Sequence, residues 1–298
     1  MDETTLVRDI WRPLGLPGLV DVHTHFMPKP VMDKVWRYFD DVGPLVGRRW
    51  PIAYRTDEQQ RLAALRGFGV RAFTSLVYPH KPQMAAWLNQ WAASFAAATP
   101  ECLHTATFYP EPGVEGYVGQ AISAGARVFK AHIQVGRYHP IDPQLDRAWG
   151  VIEDAAVPVV IHCGSGPVPG AHTGAEPIAA LLARHPRLRL VVAHMGMPEY
   201  SDFLDLAERY EEVRLDTTMA FTAFVEETMP FPHSEYARLR DHGDRILFGS
   251  DFPNIPYRFV DAMRALTEVP GVDDEWLRKV FYDNAAELFG LGARDGAI

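Results

Sequence analysis

The sequence has few cysteines, no concentrated run of positive charge and no long apolar segment. Cys102 and Cys163 are the only cysteines among 298 residues, so a scaffold that depends on several disulfides is excluded. Acidic and basic residues are mixed along a chain of net charge −9, which argues against a nucleic-acid partner. No apolar run approaches the roughly 20 residues of a membrane helix, so we expect no membrane association.

The first residues also lack the features of a secretory signal. The segment MDETTLVRDIWRP contains acidic side chains and no apolar core. We therefore expect a cytoplasmic protein, and we expect its partner to be a small-molecule substrate.

What the sequence does contain is a regular alternation of apolar runs and helical patterns. Hydrophobic residues make up 47% of the chain, enough for a large core. Several runs are almost continuously apolar, as is typical of parallel strands buried on both faces. We predict strands at 18–26, 70–79, 103–110, 127–134, 158–164, 188–196, 212–220 and 245–253.

The spacing of these runs predicts the fold. Eight βα units in succession favour an α/β chain folded as a (β/α)8 TIM barrel, with residues 1–298 forming a single domain. The first interval is about twenty residues longer than one βα unit needs. We interpret residues 27–57, the segment that contains this excess, as a lid-like insertion or substrate wall on the face where barrel active sites lie. The alternative is a surface excursion without a function. Four aromatic residues of the insertion would form either a pocket wall or its own small core: Trp36, Tyr38, Trp50 and Tyr54.

Residues that bind metals follow the apolar runs at several strand ends. His23 and His25 in DVHTH are two residues apart, so on a strand they project from the same face. His162 lies in VVIHCG at the end of the fifth predicted strand, His194 in VVAHMG at the end of the sixth, and Asp251 in LFGSDFP at the end of the eighth. A single histidine of this kind is more often a core residue than a ligand. In a barrel, however, all these ends converge on one face, where three histidines and a carboxylate would make a site for Zn²⁺ or a similar ion.

These motifs together resemble the amidohydrolase superfamily. The matching segments are DVHTHFMP, VFKAHIQ, VVIHCG, VVAHMG, LFGSDFPN and the closing YDNAAELFGL, which extend over about residues 18–291. They are most similar to the amidohydrolase-related branch, which includes aminocarboxymuconate-semialdehyde decarboxylase-like enzymes. That branch often forms dimers, so a homodimer is compatible with the resemblance.

The resemblance also implies roles for individual residues. It implies that His23, His25, His162 and Asp251 ligate one metal ion per chain, Zn²⁺ or another divalent transition metal such as Mn²⁺. His194 would lie beside the metal and act on water or substrate, and Asp251 would also move the proton. The chemistry agrees, because a metal lowers the pKa of bound water and a carboxylate can take the proton released.

The fourth predicted strand leaves several interpretations open. In VFKAHI, the side chains of Val128, Lys130 and His132 share one face. Lys130 would be a carbamylated bridge between two ions, a partner of a substrate carboxylate, or a partner of Asp251. His132 would be an additional ligand or a substrate contact. Because the branch is mostly mononuclear, we favour one metal. A lysine at this place argues against the TatD-like nucleases, which carry a glutamate there.

Two reactions are compatible with this set of residues. The first hypothesis is a metal-dependent hydrolase in which activated water attacks an amide, ester or lactone carbonyl. The second is a metal-dependent lyase, a decarboxylase or hydratase acting on a small carboxylic acid, for which Arg137 or Arg258 would suit the carboxylate. The segment GSGPVPGAHTG does not resemble the HPxxW-type segment of the decarboxylases, which favours hydrolysis. A third hypothesis, a non-catalytic binding module, is disfavoured because all the expected ligands are present.

Overall fold

Parallel strands follow one another in chain order around the centre of the protein, in a computed structural model that describes residues 2–292. The predicted domain, 1–298, includes residues 1 and 293–298, which lie outside the described residues. Neighbouring strands are parallel throughout the two sheets, which have the orders β1-β2-β3 and β4-β5-β6-β7-β8-β9. The strands are β1 (Leu19–Asp21), β2 (Val70–Thr74), β3 (Cys102–Leu103), β4 (Thr105–Thr107), β5 (Val128–His132), β6 (Val159–His162), β7 (Leu190–Val192), β8 (Val213–Asp216) and β9 (Ile246–Leu247).

Backbone hydrogen bonds join the segment that follows β1 to the segment that follows β9. The N–H of Val22 donates to the carbonyl of Phe248 over 3.0 Å, and the N–H of His25 donates to the carbonyl of Phe252 over 2.7 Å. Such a connection between the two ends of a sheet is what a barrel requires. The predicted (β/α)8 barrel is therefore confirmed, and each of the eight predicted runs contains an observed strand.

The observed strands are shorter than predicted, and the third is divided at His104 into β3 and β4. At this division the hydroxyl of Thr105 accepts the N–H of Ser75 over 3.0 Å and donates to the carbonyl of Leu103 over 3.1 Å. A side-chain oxygen thus replaces a backbone partner, which interrupts the regular ladder.

Helices separate the strands. They are α1 (Glu3–Trp11), α2 (Lys29–Asp41), α3 (Gly43–Val46), α4 (Glu58–Phe68), α5 (Ala85–Ala98), α6 (Val114–Ser123), α7 (Ile133–Gly136), α8 (Asp146–Asp154), α9 (Ala175–Arg184), α10 (Tyr200–Arg209), α11 (Ala223–Glu226), α12 (Tyr236–Asp241), α13 (Phe259–Thr267), α14 (Asp274–Arg278) and α15 (Asn284–Leu288). Local sequence explains the bounds of α4. Asp57 and Gln60 form a reciprocal capping box at its start, and Gly69, with φ of 88°, ends it in the left-handed region. No helix within residues 2–292 is long and apolar enough to cross a membrane.

The barrel interior has an apolar lower layer and a polar mouth. The lower layer includes Val128 and Val160, and α15 covers its open end with Ala285 and Leu288. Because strand side chains alternate between faces, the next inward positions after these two valines are Lys130 and His162. The alternation therefore places the polar side chains directly above a sealed apolar floor.

The insertion, residues 27–57, contains α2, α3 and an extended return to α4. Its two buried tryptophans are fixed to one residue of the last barrel loop: the indole N–H of Trp36 donates to Asn254 Oδ1 over 3.0 Å, and that of Trp50 donates to the Asn254 carbonyl over 2.7 Å. Tyr54 packs on Phe252, with ring centroids 4.7 Å apart. The insertion is therefore attached to the barrel mouth rather than extending into solvent.

The packing of α15 under the barrel predicts a stability effect. Leu288→Ala removes side-chain atoms from the apolar floor and should lower the free energy of unfolding by about 3 kcal/mol, since little can move into the space left behind. The matched control is Glu287→Ala, which changes an exposed neighbour on the same helix and should alter stability by less than about 0.5 kcal/mol. Chemical denaturation followed by circular dichroism measures both. Equal stabilities of the two variants would show that α15 does not seal the barrel.

Candidate metal centre

Three side chains at the barrel mouth bring their ligand atoms to one place. The Nε2 atom of His25 lies 2.8 Å from Asp251 Oδ1, and the Nε2 atom of His23 lies 3.8 Å from the same oxygen. Candidate ligand atoms of these three residues all lie within 4.8 Å of one another. All three residues are buried. The arrangement presents two imidazole nitrogens and a carboxylate oxygen to a common point.

The backbone of Asp251 is held in an uncommon conformation that directs its carboxylate to this point. Its φ is 64°, in the left-handed region that residues other than glycine seldom occupy. Its N–H donates to the carbonyl of His23 over 2.8 Å, and its carbonyl accepts the N–H of Asn254 over 2.8 Å. The segments that follow β1 and β9 therefore hold each other in place where the candidate ligands lie.

Partners on the outer ring nitrogens orient the two histidines. His23 Nδ1 lies 2.9 Å from Asp216 Oδ2, and His25 Nδ1 lies 2.8 Å from the carbonyl oxygen of Leu76. Because both partners are acceptors, each Nδ1 carries the hydrogen and donates it, which leaves the Nε2 lone pair free. Metal-binding histidines in proteins are oriented in this way.

Asp216 was not identified as a site residue from the sequence. It is completely buried at the end of β8, and its second oxygen accepts the N–H groups of His194, over 3.0 Å, and Thr218, over 3.1 Å. The signal was present in VRLD, where a charged residue ends an apolar strand at an inward-facing position. One carboxylate thus orients a candidate ligand and a second histidine of the site.

His162 lies in the same mouth but outside the group of three close ligand atoms. Its ring stacks on that of His132, with centroids 4.1 Å apart and an interplanar angle of 13°. It also makes an edge contact with His194, at 4.7 Å between centroids. His194 in turn lies 5.1 Å from the ring of His23. The structure therefore brings all the predicted histidines to one mouth, and three of the predicted ligand residues into the tightest group.

Burial favours the neutral form of His23 and His162. It lowers the pKa of His23 well below its usual value, and the positive charge of Lys130 lowers it further. The same two causes lower the pKa of His162 to about 3. Neutral imidazole is the form that ligates metals, so the electrostatics suit a metal centre.

Lys130 is fully buried beneath these rings. Its Nζ lies 3.3 Å from His23 Nε2, and burial lowers the pKa of its amine to about 8. Within residues 2–292 it forms no ion pair with Asp251, which was one of the alternatives weighed from the sequence.

The hydrogen-bond partners of His132 and His194 differ in a way the sequence did not indicate. His132 Nδ1 accepts the N–H of Val135 over 3.4 Å, so in the neutral ring the hydrogen is on Nε2. His194 Nδ1 faces the carbonyl of Thr218 at 3.3 Å, so its hydrogen is on Nδ1 and its Nε2 is an acceptor. The first ring is therefore a donor to the cavity and the second an acceptor.

A cavity of about 570 Å³ opens above these residues. His23, His25, Lys130, His132, His162, His194 and Asp251 all line it. The insertion contributes Tyr38 and Trp50 to its wall, whereas Trp36 packs beneath with Met32. Of the two arginines considered from the sequence, Arg137 lines the cavity, and Arg258 pairs at the surface with Asp261.

The donor set fits a divalent transition metal. Two neutral imidazoles and a carboxylate are common ligands of Zn²⁺ and are also compatible with Mn²⁺. The Nδ1 atoms of His23 and His25 already have hydrogen-bond acceptors as partners. Their Nε2 lone pairs are directed to the common point, where the amine of Lys130 faces that of His23. The chemistry of the residues thus matches a metal that the protein would bind with His23, His25 and Asp251.

Solved structures share this fold. An uncharacterized TIM-barrel protein from Bordetella bronchiseptica aligns with a TM-score of 0.73 at 17% identity, over 92% of this chain and 98% of that chain. The 5-carboxyvanillate decarboxylase from Novosphingobium aromaticivorans, in complex with manganese and 4-hydroxy-3-methoxy-5-nitrobenzoic acid, aligns with a TM-score of 0.61 at 15% identity, over 92% and 96%. Dihydroorotase from Campylobacter jejuni aligns with a TM-score of 0.57 at 15% identity, over 93% and 84%.

A comparison with curated proteins finds no match. The model of the amidohydrolase family, however, matches residues 20–291, which is nearly all of the sequence. That match includes every barrel strand except the first residue of β1, and every residue of the candidate metal centre. The chain therefore belongs to the amidohydrolase family, as its motifs had indicated.

Proposed function

We propose that this protein is a metal-dependent hydrolase in which water activated at the metal attacks the carbonyl of a small-molecule amide, ester or lactone. The observation that carries the proposal is the position of Asp251, whose carboxylate lies 2.8 Å from His25 Nε2 at the floor of an open cavity. A carboxylate at that place can both contact the metal and exchange a proton with a group in the cavity.

His23, His25 and Asp251 would hold the ion, and His162 is the proposed fourth ligand. Asp251 would take the proton of the attacking water and return it to the leaving group. The Nε2 of His194, an acceptor in its neutral ring, would orient that water. The Nε2–H of His132 would donate to the carbonyl oxygen as negative charge develops on it.

The second candidate is a metal-dependent lyase, a decarboxylase or hydratase acting on a small carboxylic acid. The observation that favours it is Lys130, a fully buried cation at the cavity floor beside His23. Such a cation would offset the charge of a carboxylate bound close to the metal. The two candidates differ in their products, which makes them separable by experiment.

The metal content follows from the geometry. Purified protein should contain about one equivalent of Zn²⁺ or Mn²⁺ per chain, and His23→Ala or His25→Ala should remove most of it, because each variant deletes one of three converging donors. His242→Ala is the matched control, since His242 pairs with Glu208 at the surface. Elemental analysis by mass spectrometry measures all four proteins. Two ions per chain together with a carbamate on Lys130 would replace the single-metal arrangement with a bridged pair.

The reaction itself is tested with a panel of esters, lactones and amides in ¹⁸O-labelled water. Hydrolysis places one labelled oxygen in the acid product, whereas release of carbon dioxide from a carboxylic acid panel would favour the lyase. For any substrate turned over, Asp251→Asn should lower kcat/KM by about 10²–10⁴-fold, the usual contribution of a positioned acid–base group. Metal content is measured on the same samples. A variant with bound metal and normal turnover would remove Asp251 from the proton transfer.

The assignment of His132 as the donor gives a separate test. His132→Phe retains a ring that can stack on His162 but has no Nε2–H, so kcat should fall by about 10²–10³-fold while the metal remains bound. His132→Gln, which keeps an N–H donor, should recover part of the rate. The control is His139→Phe, a loop histidine whose ring contacts His172 instead of lining the cavity. Unchanged kcat in His132→Phe would assign the donor role to another group.

A further inference from the structure

The mouth of the cavity carries positive charge in a protein whose net charge is −9. Among the described residues that line the cavity, Asp251 is the one acidic side chain, and it belongs to the metal centre. Lys34 and Arg137 line the cavity as well, and both are largely exposed. Burial, followed by the charges of Lys81 and Lys34, lowers the pKa of the nearby His80, which also lines the cavity. The entrance is therefore cationic although the molecule is acidic.

The two cations come from different parts of the chain, and both line the cavity. Tyr38 on α2 and Gln134 on α7 both line the cavity. Lys34 lies four residues before Tyr38 on α2, so both project from the same side of that helix. Arg137 follows directly after α7, three residues beyond Gln134. The lining of one cavity therefore includes a cation from the insertion and a cation from the barrel.

Neither cation has a carboxylate partner among residues 2–292. Some other surface arginines do have one, such as Arg66 with Glu101 and Arg238 with Asp205. Arg137 ends α7 with φ of 56°, and its N–H donates to the carbonyl of Ile133, so its backbone position is fixed by the helix end. An exposed guanidinium beside a ligand cavity, with no carboxylate partner among residues 2–292, is available to bind an anionic group of a ligand.

Below this entrance the cavity wall is apolar on the side of the insertion. Val31, Val35 and Phe39 of α2 line it in succession, at spacings that place them on one helix face. A smaller pocket of about 190 Å³ adjoins it, since Trp50, Pro167 and Met219 line both spaces. The smaller pocket continues the apolar surface with Leu45 and Phe224. The combined space suits an extended apolar group.

We infer that the substrate is an amphipathic anion whose apolar body lies along α2 and whose carboxylate or similar charge is bound by Lys34 and Arg137 at the mouth. This inference rests on the proposed function in one respect, the carbonyl bond that is broken at the metal. The binding of the anion and of the apolar body is argued from the cavity lining alone. The anion held at the mouth is then not the group that reacts at the metal, so the two ends of the substrate have separate binding sites.

Binding of two probes that differ only in charge tests this arrangement. The probes are 4-phenylbutanoate and its neutral amide, 4-phenylbutanamide, titrated into the metal-loaded protein by calorimetry. The acid should bind about tenfold more tightly than the amide, as two partly exposed charge contacts allow, and the difference should shrink as salt is raised. In the double variant Lys34→Met with Arg137→Met, the acid should lose this advantage while the affinity of the amide is unchanged.

Two further variants make the test specific. Arg209→Met removes an exposed cation outside the cavity and should leave both affinities as in the wild type. Val35→Ala shortens the apolar wall and should weaken both probes by the same factor. An acid preference that survives the double variant would place the anion elsewhere, for instance on the metal, and would overturn the inference. Equal affinities of the two probes for the wild type, whether tight or too weak to measure, would overturn it as well.

The outcome is independent of turnover. If the anion preference is absent, the proposed hydrolysis is still testable with neutral esters and lactones. If the anion preference is present but no substrate is hydrolysed, the hydrolase proposal fails while the binding site is supported.

Discussion

The hydrogen bond between Asp216 and His23 is the interaction on which the candidate metal centre depends. Asp216 is completely buried, and its two oxygens accept from the His23 ring and from the N–H groups of His194 and Thr218. A buried carboxylate is costly unless such donors surround it. The same donors that satisfy Asp216 therefore fix the His23 ring and the backbone that carries His194, so two residues of the centre cannot move independently.

The barrel supplies the second constraint, because it gives each inward position a fixed height. Along β5 and β6 the valines at the lower inward positions form the sealed floor, and the next inward side chains are Lys130 and His162. A polar group placed one position lower would lie among Val20, Val22 and Val191 without a partner. The site can therefore lie only at the mouth, where loops supply hydrogen-bond partners such as the carbonyl of Leu76.

These constraints explain which features could be predicted from the sequence. The alternation of apolar runs and helical patterns along the sequence is enough to predict the number of strands, their order and the histidines at their ends. The match of the family model to residues 20–291 agrees with these features. Asp216 was missed because its importance comes from contacts with residues far away in the chain, one of them 193 positions distant. The tautomers of His132 and His194 depend on single backbone contacts that only the folded loops create. The division among the aromatic residues of the insertion, with Trp36 buried and Tyr38 at the cavity, depends on how α2 is rotated against the barrel.

The attachment of the insertion to the barrel links substrate binding to the proton-transferring group. Asn254 accepts both indole N–H groups of the insertion, and its own N–H donates to the carbonyl of Asp251. The wall that would contact the apolar part of a substrate and the turn that presents the carboxylate are therefore joined through one buried residue. A displacement of α2 large enough to break the Trp36 contact would also disturb the turn at Asp251, so contacts far from the reacting bond can govern its alignment with the carboxylate.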